Sequence, residues 1–129
     1  MKFLIACTAF VLLASIAHAQ TFPDRPIRLV VTVPPGGAAD LVARTVSDEL
    51  GRQLNTQIVV ENRAGASGTI ASSHVAKSAP DGYSMMLTAD GVPANPHLFK
   101  NLNYDIFRDL MPVSLVIATG IGTPGSRRA

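Results

Sequence analysis

The sequence predicts an α/β domain, a parallel sheet with helical crossovers, and three observations carry that prediction. Short apolar runs rich in β-branched residues alternate with stretches of helical periodicity. Two glycine-rich loops stand where such a run passes into a helix, and the order reads β-α-β-α-β over residues 27–89.

The chain of 129 residues opens on a segment that lies outside this pattern. Lys2 supplies a positive start, residues 3–16 an apolar run, and Ala17, His18 and Ala19 a small-x-small site, so residues 1–19 read as a signal peptide cut after Ala19. The run falls short of the roughly 20 residues a membrane span needs. "LIAC", residues 4–7, looks like a lipidation box, but the apolar run continues past Cys7 where such a box would end it. Cys7 is the only cysteine, so the mature chain, starting at Gln20, has neither a disulfide nor thiolate chemistry. Its ten Lys and Arg against nine Asp and Glu, with no basic run before Arg127 and Arg128, argue against a nucleic-acid partner.

"IRLVVTV" over 27–33 has strand length and composition and is stopped by Pro34 and Pro35. A helix follows, with apolar Ala39, Val42, Ala43, Val46 and Leu50 at three- and four-residue steps and Gly51 where a C-terminal cap glycine would stand. Asp40 complements the dipole in its first turn, and Arg44 pairs with Asp48 at i,i+4. A second strand, "QIVVE" over 57–61, leads through "NRAGASG" into a helix over 69–78, which the turn "PDGY" closes. The third strand is "YSMMLTA" over 83–89, with Met85 and Met86 as strand or core filler. The stretch around Asn95 and Pro96 has no assignable structure. "MPVSLVIAT" over 111–119 begins like a fourth strand, and residues 117–129 read as a disordered tail.

Helical crossovers put both strand-to-helix loops, 34–38 and 64–68, on the carboxyl edge of the sheet, where ligands bind in open α/β folds. Each loop opens a helix whose first amides lack intrahelical partners and whose dipole favours an anion. Prolines halt the strand without needing amide partners and glycines admit close approach, so the two loops suit a two-sided anion clamp. They also suit a plain strand-to-helix reversal with no ligand. Gly36 and Gly37 lack the spacing of a dinucleotide fingerprint, and no P-loop lysine follows.

Ser67 in "GASG" has part of a nucleophile elbow, but Thr69 stands where its last glycine belongs, so a helix cap or hydroxyl donor fits better than a hydrolase serine served by His74 or His97. The histidines have no metal-ligand spacing. Arg63 fits a pair with Glu61 better than a ligand contact, and Asp40 fits a first-turn role better than one.

With those elements in place, the ordered series "FPDRPIRLVV", "PPGGAADLVAR", "LGRQL", "VVENRAGASGTI", "VAKSAPDGY" and "NPHLFKNLNYDIFRDLMPVSLV" closely resembles the tripartite tricarboxylate transporter receptors, the Bug family of periplasmic solute-binding proteins. The resemblance runs from Phe22 to Val116. It implies a periplasmic-binding-protein-like fold of which this chain holds only part of the first domain, residues 20–116. It implies a periplasmic receptor, not an enzyme and without a cofactor, that captures a small carboxylate and passes it to membrane subunits of the transporter. By matching motif, Pro35, Gly36, Gly37 and Ala38 form one jaw on a ligand carboxylate, partly through ordered water, and Ala66, Ser67 and Gly68 the other, with Thr88 and Ala89 as floor. Thr32 and Val33 replace the family's usual proline and aromatic, which leaves less side chain to pack on a ligand. The likeness stops near Val116 and "GTPGSRRA" ends the chain, as a truncated reading frame would. The expectation is therefore a receptor fragment holding half a clamp, with an inert remnant as its rival.

Overall fold

The computed structural model describes residues 22–89 and 91–116. The expected signal peptide, residues 1–19, and the expected tail, residues 117–129, lie outside the described residues. Strand β1 (Ile27–Val31) is central, flanked in parallel by β2 (Ile58–Asn62) and β3 (Ser84–Leu87), giving the order β2-β1-β3. Leu29 stands opposite Val60 on one side and Met85 on the other.

Between β1 and β2 the chain crosses through helix α1 (Ala38–Leu54), and between β2 and β3 through α2 (Thr69–Ala76). Period-two alternation divides the sheet between them. Leu29 and Val31, joined by Ile58, Val60, Met85 and Leu87, pack with Ala43 of α1. On the alternate positions Val30 is fully buried, and Met86 receives the Ser72 hydroxyl of α2 at 3.6 Å. Burying a valine or leucine in this way contributes roughly 1.5–3 kcal/mol relative to exposure. The central strand dominates because both of its faces are covered.

Several expected boundaries move. β1 stops two residues short of the predicted end, although the Thr32 amide still donates to Leu87 O at 3.2 Å. β2 lies one residue later than predicted, and β3 and α2 are trimmed at their ends. Gly51 does not cap α1. The helix runs on through Arg52, Gln53 and Leu54, all good helix formers, and ends at Asn55, whose φ of 49° is left-handed. Gly51 is needed instead for close approach: a Cβ there would stand 2.9 Å from Thr56 O.

The 3₁₀ turn Val92–Ala94 and the short helices α3 (Asn95–Leu98) and α4 (Ile106–Asp109) occupy the stretch that periodicity left unassigned. Of the expected fourth strand over 111–119 the described part, residues 111–116, forms no strand, and its Met111, Val113, Leu115 and Val116 are exposed. At the other end of the sheet, Tyr83 donates its hydroxyl to Asp24 at 2.6 Å and stacks under Arg25, which pairs with Asp81 at 2.7 Å. These contacts tie the segment before β1 to the start of β3.

Candidate functional site

The order β2-β1-β3 creates a topological switch point. From β1 the chain moves to one neighbour, and from β2 it returns past β1 to the other, so the loops leaving β1 and β3 diverge at the carboxyl edge. The loop after β2 reaches the same edge on its way into α2. A crevice between diverging loops is where this fold class exposes backbone to a ligand.

The first loop is organised by Asp40, only 4 % exposed. A buried carboxylate needs partners, and Asp40 has three. It accepts from Arg44 Nε at 2.9 Å, from the Gly36 amide at 3.0 Å and from Asn62 Nδ2 at 2.8 Å. The Arg44 guanidinium, then the Gly36 and Asn62 donors, hold the Asp40 carboxyl well below the usual carboxylate range, against burial acting the other way. Arg44 thus pairs with Asp40 and not with Asp48, because the buried carboxylate is the one that needs the charge. Asn62, at the end of β2, also donates to Val33 O at 3.0 Å, so one side chain binds the roots of both loops together.

The Gly36 amide is therefore committed inside the protein. Gly36 itself has φ +88°, which favours glycine, whereas Gly37 has an ordinary extended φ of −83°. Among the amides left without an acceptor at this jaw are those of Ala38 and Ala39, which open α1 with no side-chain cap.

In the second loop the backbone takes positive φ at four successive residues. Gly65, Ala66, Ser67 and Gly68 have φ of 127°, 46°, 52° and 83°. For Ala66 and Ser67 that conformation costs about 1–3 kcal/mol each and must be held by surrounding structure. The Gly68 amide closes the turn on Gly65 O at 2.9 Å, while the amides of Ala66 and Ser67 have no acceptor among the described residues. Gly68 is buried against β1 and the turn after β3.

A sequence-family model described as the tripartite tricarboxylate transporter family receptor matches residues 42–123. The chain belongs to the tripartite tricarboxylate transporter receptors. Protein BugT of Bordetella pertussis is 41% identical over 106 residues, 81% of this chain and 32% of BugT. MatC from Rhodopseudomonas palustris, solved with bound malate, superposes with a TM-score of 0.68 at 38% identity, covering 74% of this chain and 33% of MatC. The periplasmic binding protein BugD gives 0.65 at 40% identity, over 68% of this chain and 29% of BugD. The chain spans about a third of the length of the curated relatives it matches.

In this receptor chain the predicted ligand residues gather at one edge. Pro35, Gly36, Gly37 and Ala38 are exposed on the first loop, Ala66 and Ser67 are exposed on the second, and Thr88 and Ala89 are exposed just beyond β3. Gly68 is the exception, buried under the second loop. Thr32 is buried and donates to the Thr88 hydroxyl at 3.4 Å, joining the ends of β1 and β3. Arg63 pairs with Glu61 as expected, the guanidinium and carboxylate 2.6 Å apart. With Arg44 also paired, the groups at this edge that could meet a negative charge are backbone amides and the positive end of the α1 dipole.

A receptor family leaves no reaction for Ser67. Among the described residues Ser67 makes no hydrogen bond to a histidine, and the buried Nε2 of His74 has no partner. Ser67 caps no helix with its side chain either; its backbone is what the fold grips. Sequence reasoning missed Asn62 and Asn95. Asn62 was legible only as a polar residue ending an apolar strand; Asn95 lay in the unassigned stretch. At the opposite edge of the sheet Ser47, Asp48, Arg52, Asn55 and Gln57 line an open depression of about 700 Å³. Its openness offers little enclosure, and it lies at the far end of α1 from the glycine loops.

Proposed function

We propose that this chain carries the carboxylate-gripping loops of a periplasmic receptor that captures a small carboxylate and presents it to the membrane subunits of a tripartite transporter. One observation carries this reading. Asp40 and Asn62 fix two glycine loops side by side at the carboxyl edge, with amides at Ala38 and Ala39 on one and Ala66 and Ser67 on the other that have no acceptor among the described residues. Such amides bind an anion without a paired cation, directly or through ordered water. Solved relatives support the ligand class: MatC was solved with malate and an R. palustris protein with adipate. The periplasmic setting is supported by relatives such as the periplasmic binding protein BugD and by the expected signal peptide.

The test is calorimetric titration of the chain with mono-, di- and tricarboxylates, malate and adipate among them, alongside Gly37→Val. Valine accepts the extended backbone of Gly37, and a Cβ there has only Pro34 O within 4 Å, at 3.9 Å, so the variant is expected to obstruct the jaw while keeping the fold. Saturable binding of a carboxylate, weakened about tenfold or more in Gly37→Val, is expected. No binding of any acid, or binding indifferent to the substitution, would contradict the proposal and favour an inert chain.

A further inference from the structure

The segment after β3, which has no periodicity to announce it, buttresses the second loop. Asn95 is fully buried and donates from Nδ2 to Ser67 O at 3.0 Å, across 28 residues of chain. Its Oδ1 is buried with no partner among the described residues. A buried amide with one side unsatisfied is held at a desolvation cost, and the group that its one bond holds is the backbone of a residue in left-handed conformation. Beside it, a Cβ on Gly68 would stand 2.9 Å from Val92 Cγ2 and 3.3 Å from Thr32 Cγ2. The turn Ala66–Ser67 is thus pinned from behind by Asn95 and closed against Val92 and the end of β1.

We propose that Asn95 is a positioning residue of the carboxylate site: by holding Ser67 O it keeps the Ala66–Ser67 turn left-handed, the conformation in which both amides remain unpaired. This inference rests on the receptor reading of that site. Asn95 touches no ligand in this account and acts only through Ser67. The residue's place is unusual for an anchor, since it begins a helix of four residues and is a fully buried polar side chain in a segment whose positions 93, 94 and 96–98 are exposed.

The test uses the full chain as wild type, Asn95→Ala, Ser67→Gly and the double variant, with two readouts. Without ligand, NMR carbon shifts and amide couplings of Ala66 and Ser67 report the sign of φ. With malate, calorimetry reports Kd. Asn95→Ala is expected to lose the left-handed signature at Ser67 and to weaken malate binding about tenfold. Ser67→Gly is expected to restore much of that loss in the double variant, because glycine takes a φ near the observed 52° without a side-chain penalty. A left-handed signature and Kd both unchanged in Asn95→Ala, with only Tm reduced, would make Asn95 a packing residue and overturn the proposal. So would a double variant as weak as Asn95→Ala. If Asn95→Ala does not fold, a double variant that regains the fold supports the coupling and one that stays unfolded refutes it. If the wild-type chain binds no acid, the receptor reading fails, while the ligand-free spectra still decide whether Asn95 sets the turn.

Discussion

Asn62 Nδ2 lies 2.8 Å from Asp40 Oδ1, a contact across 22 residues that fastens the end of β2 to the first turn of α1. Because the same Asp40 carboxylate also receives the Gly36 amide, the two residues form one unit rather than two. Asp40→Ala and Asn62→Ala are each expected to lower Tm, and the double variant to fall by clearly less than the sum of the two, as residues sharing a network do. Thermal unfolding of the four chains checks this, and strict additivity would show that the two contacts act independently.

Asp40 also sets an acid dependence. Its folded carboxyl is held below its ordinary value of 3.8 by Arg44 first and by the Gly36 and Asn62 donors after it. The unfolded chain therefore binds this proton more readily, so the contribution is complete above the ordinary carboxylate range and is lost as pH falls below about 4. Asp109, lowered by Arg108, acts in the same direction. Urea unfolding at pH 6 and pH 3.5 is expected to show a larger acid loss in wild type than in Asp40→Asn; equal losses would remove Asp40 from the account.

The loop glycines are not equivalent. A Cβ at Gly36 meets nothing within 4 Å, so Gly36→Ala bears the backbone penalty alone, about 1–2 kcal/mol. Gly68→Ala adds a collision with Val92 at 2.9 Å and is expected to lose about 1–3 kcal/mol more. Denaturant midpoints with unchanged slope would show the ranking, and a Gly36→Ala loss equal to that of Gly68→Ala would contradict the packing described.

Gly51→Ala reverses a common expectation. In an open helix interior the change gains about 1 kcal/mol. Here the added Cβ would stand 2.9 Å from the backbone oxygen of Thr56, which cannot rotate away. The variant is expected to be no more stable than wild type, and a Tm rise of several degrees would show that the α1-to-β2 turn yields easily.

Much of the fold was legible because its signals are local. β1 announces itself by β-branched residues and α1 by its three- and four-residue steps, and parallel pairing follows from their alternation. What failed was long-range. Gly51 has the letter of a cap, but its role depends on where Thr56 O arrives. Arg44 has an acidic residue four positions away on either side, and only burial chooses Asp40 over Asp48. The loops of the site were visible as glycine and proline; the residues that hold them, Asn62 and Asn95, were not, since a polar side chain in a sequence does not say whose backbone it will meet. The fourth strand expected over residues 111–119 had the right composition, but its described part, 111–116, lies exposed and unpaired, which composition alone does not foretell.

In the proposed receptor a carboxylate is gripped by the free amides of the two loops. The amide NMR spectrum of the nitrogen-15-labelled chain during titration with malate tests that grip. Saturable shifts are expected to concentrate at Ala38, Ala39, Ala66 and Ser67, with a smaller response at Thr88 and none at Ser47 or Asn55. Shifts concentrated around the depression at the far end of α1, or no saturable shift at the two loops, would contradict it.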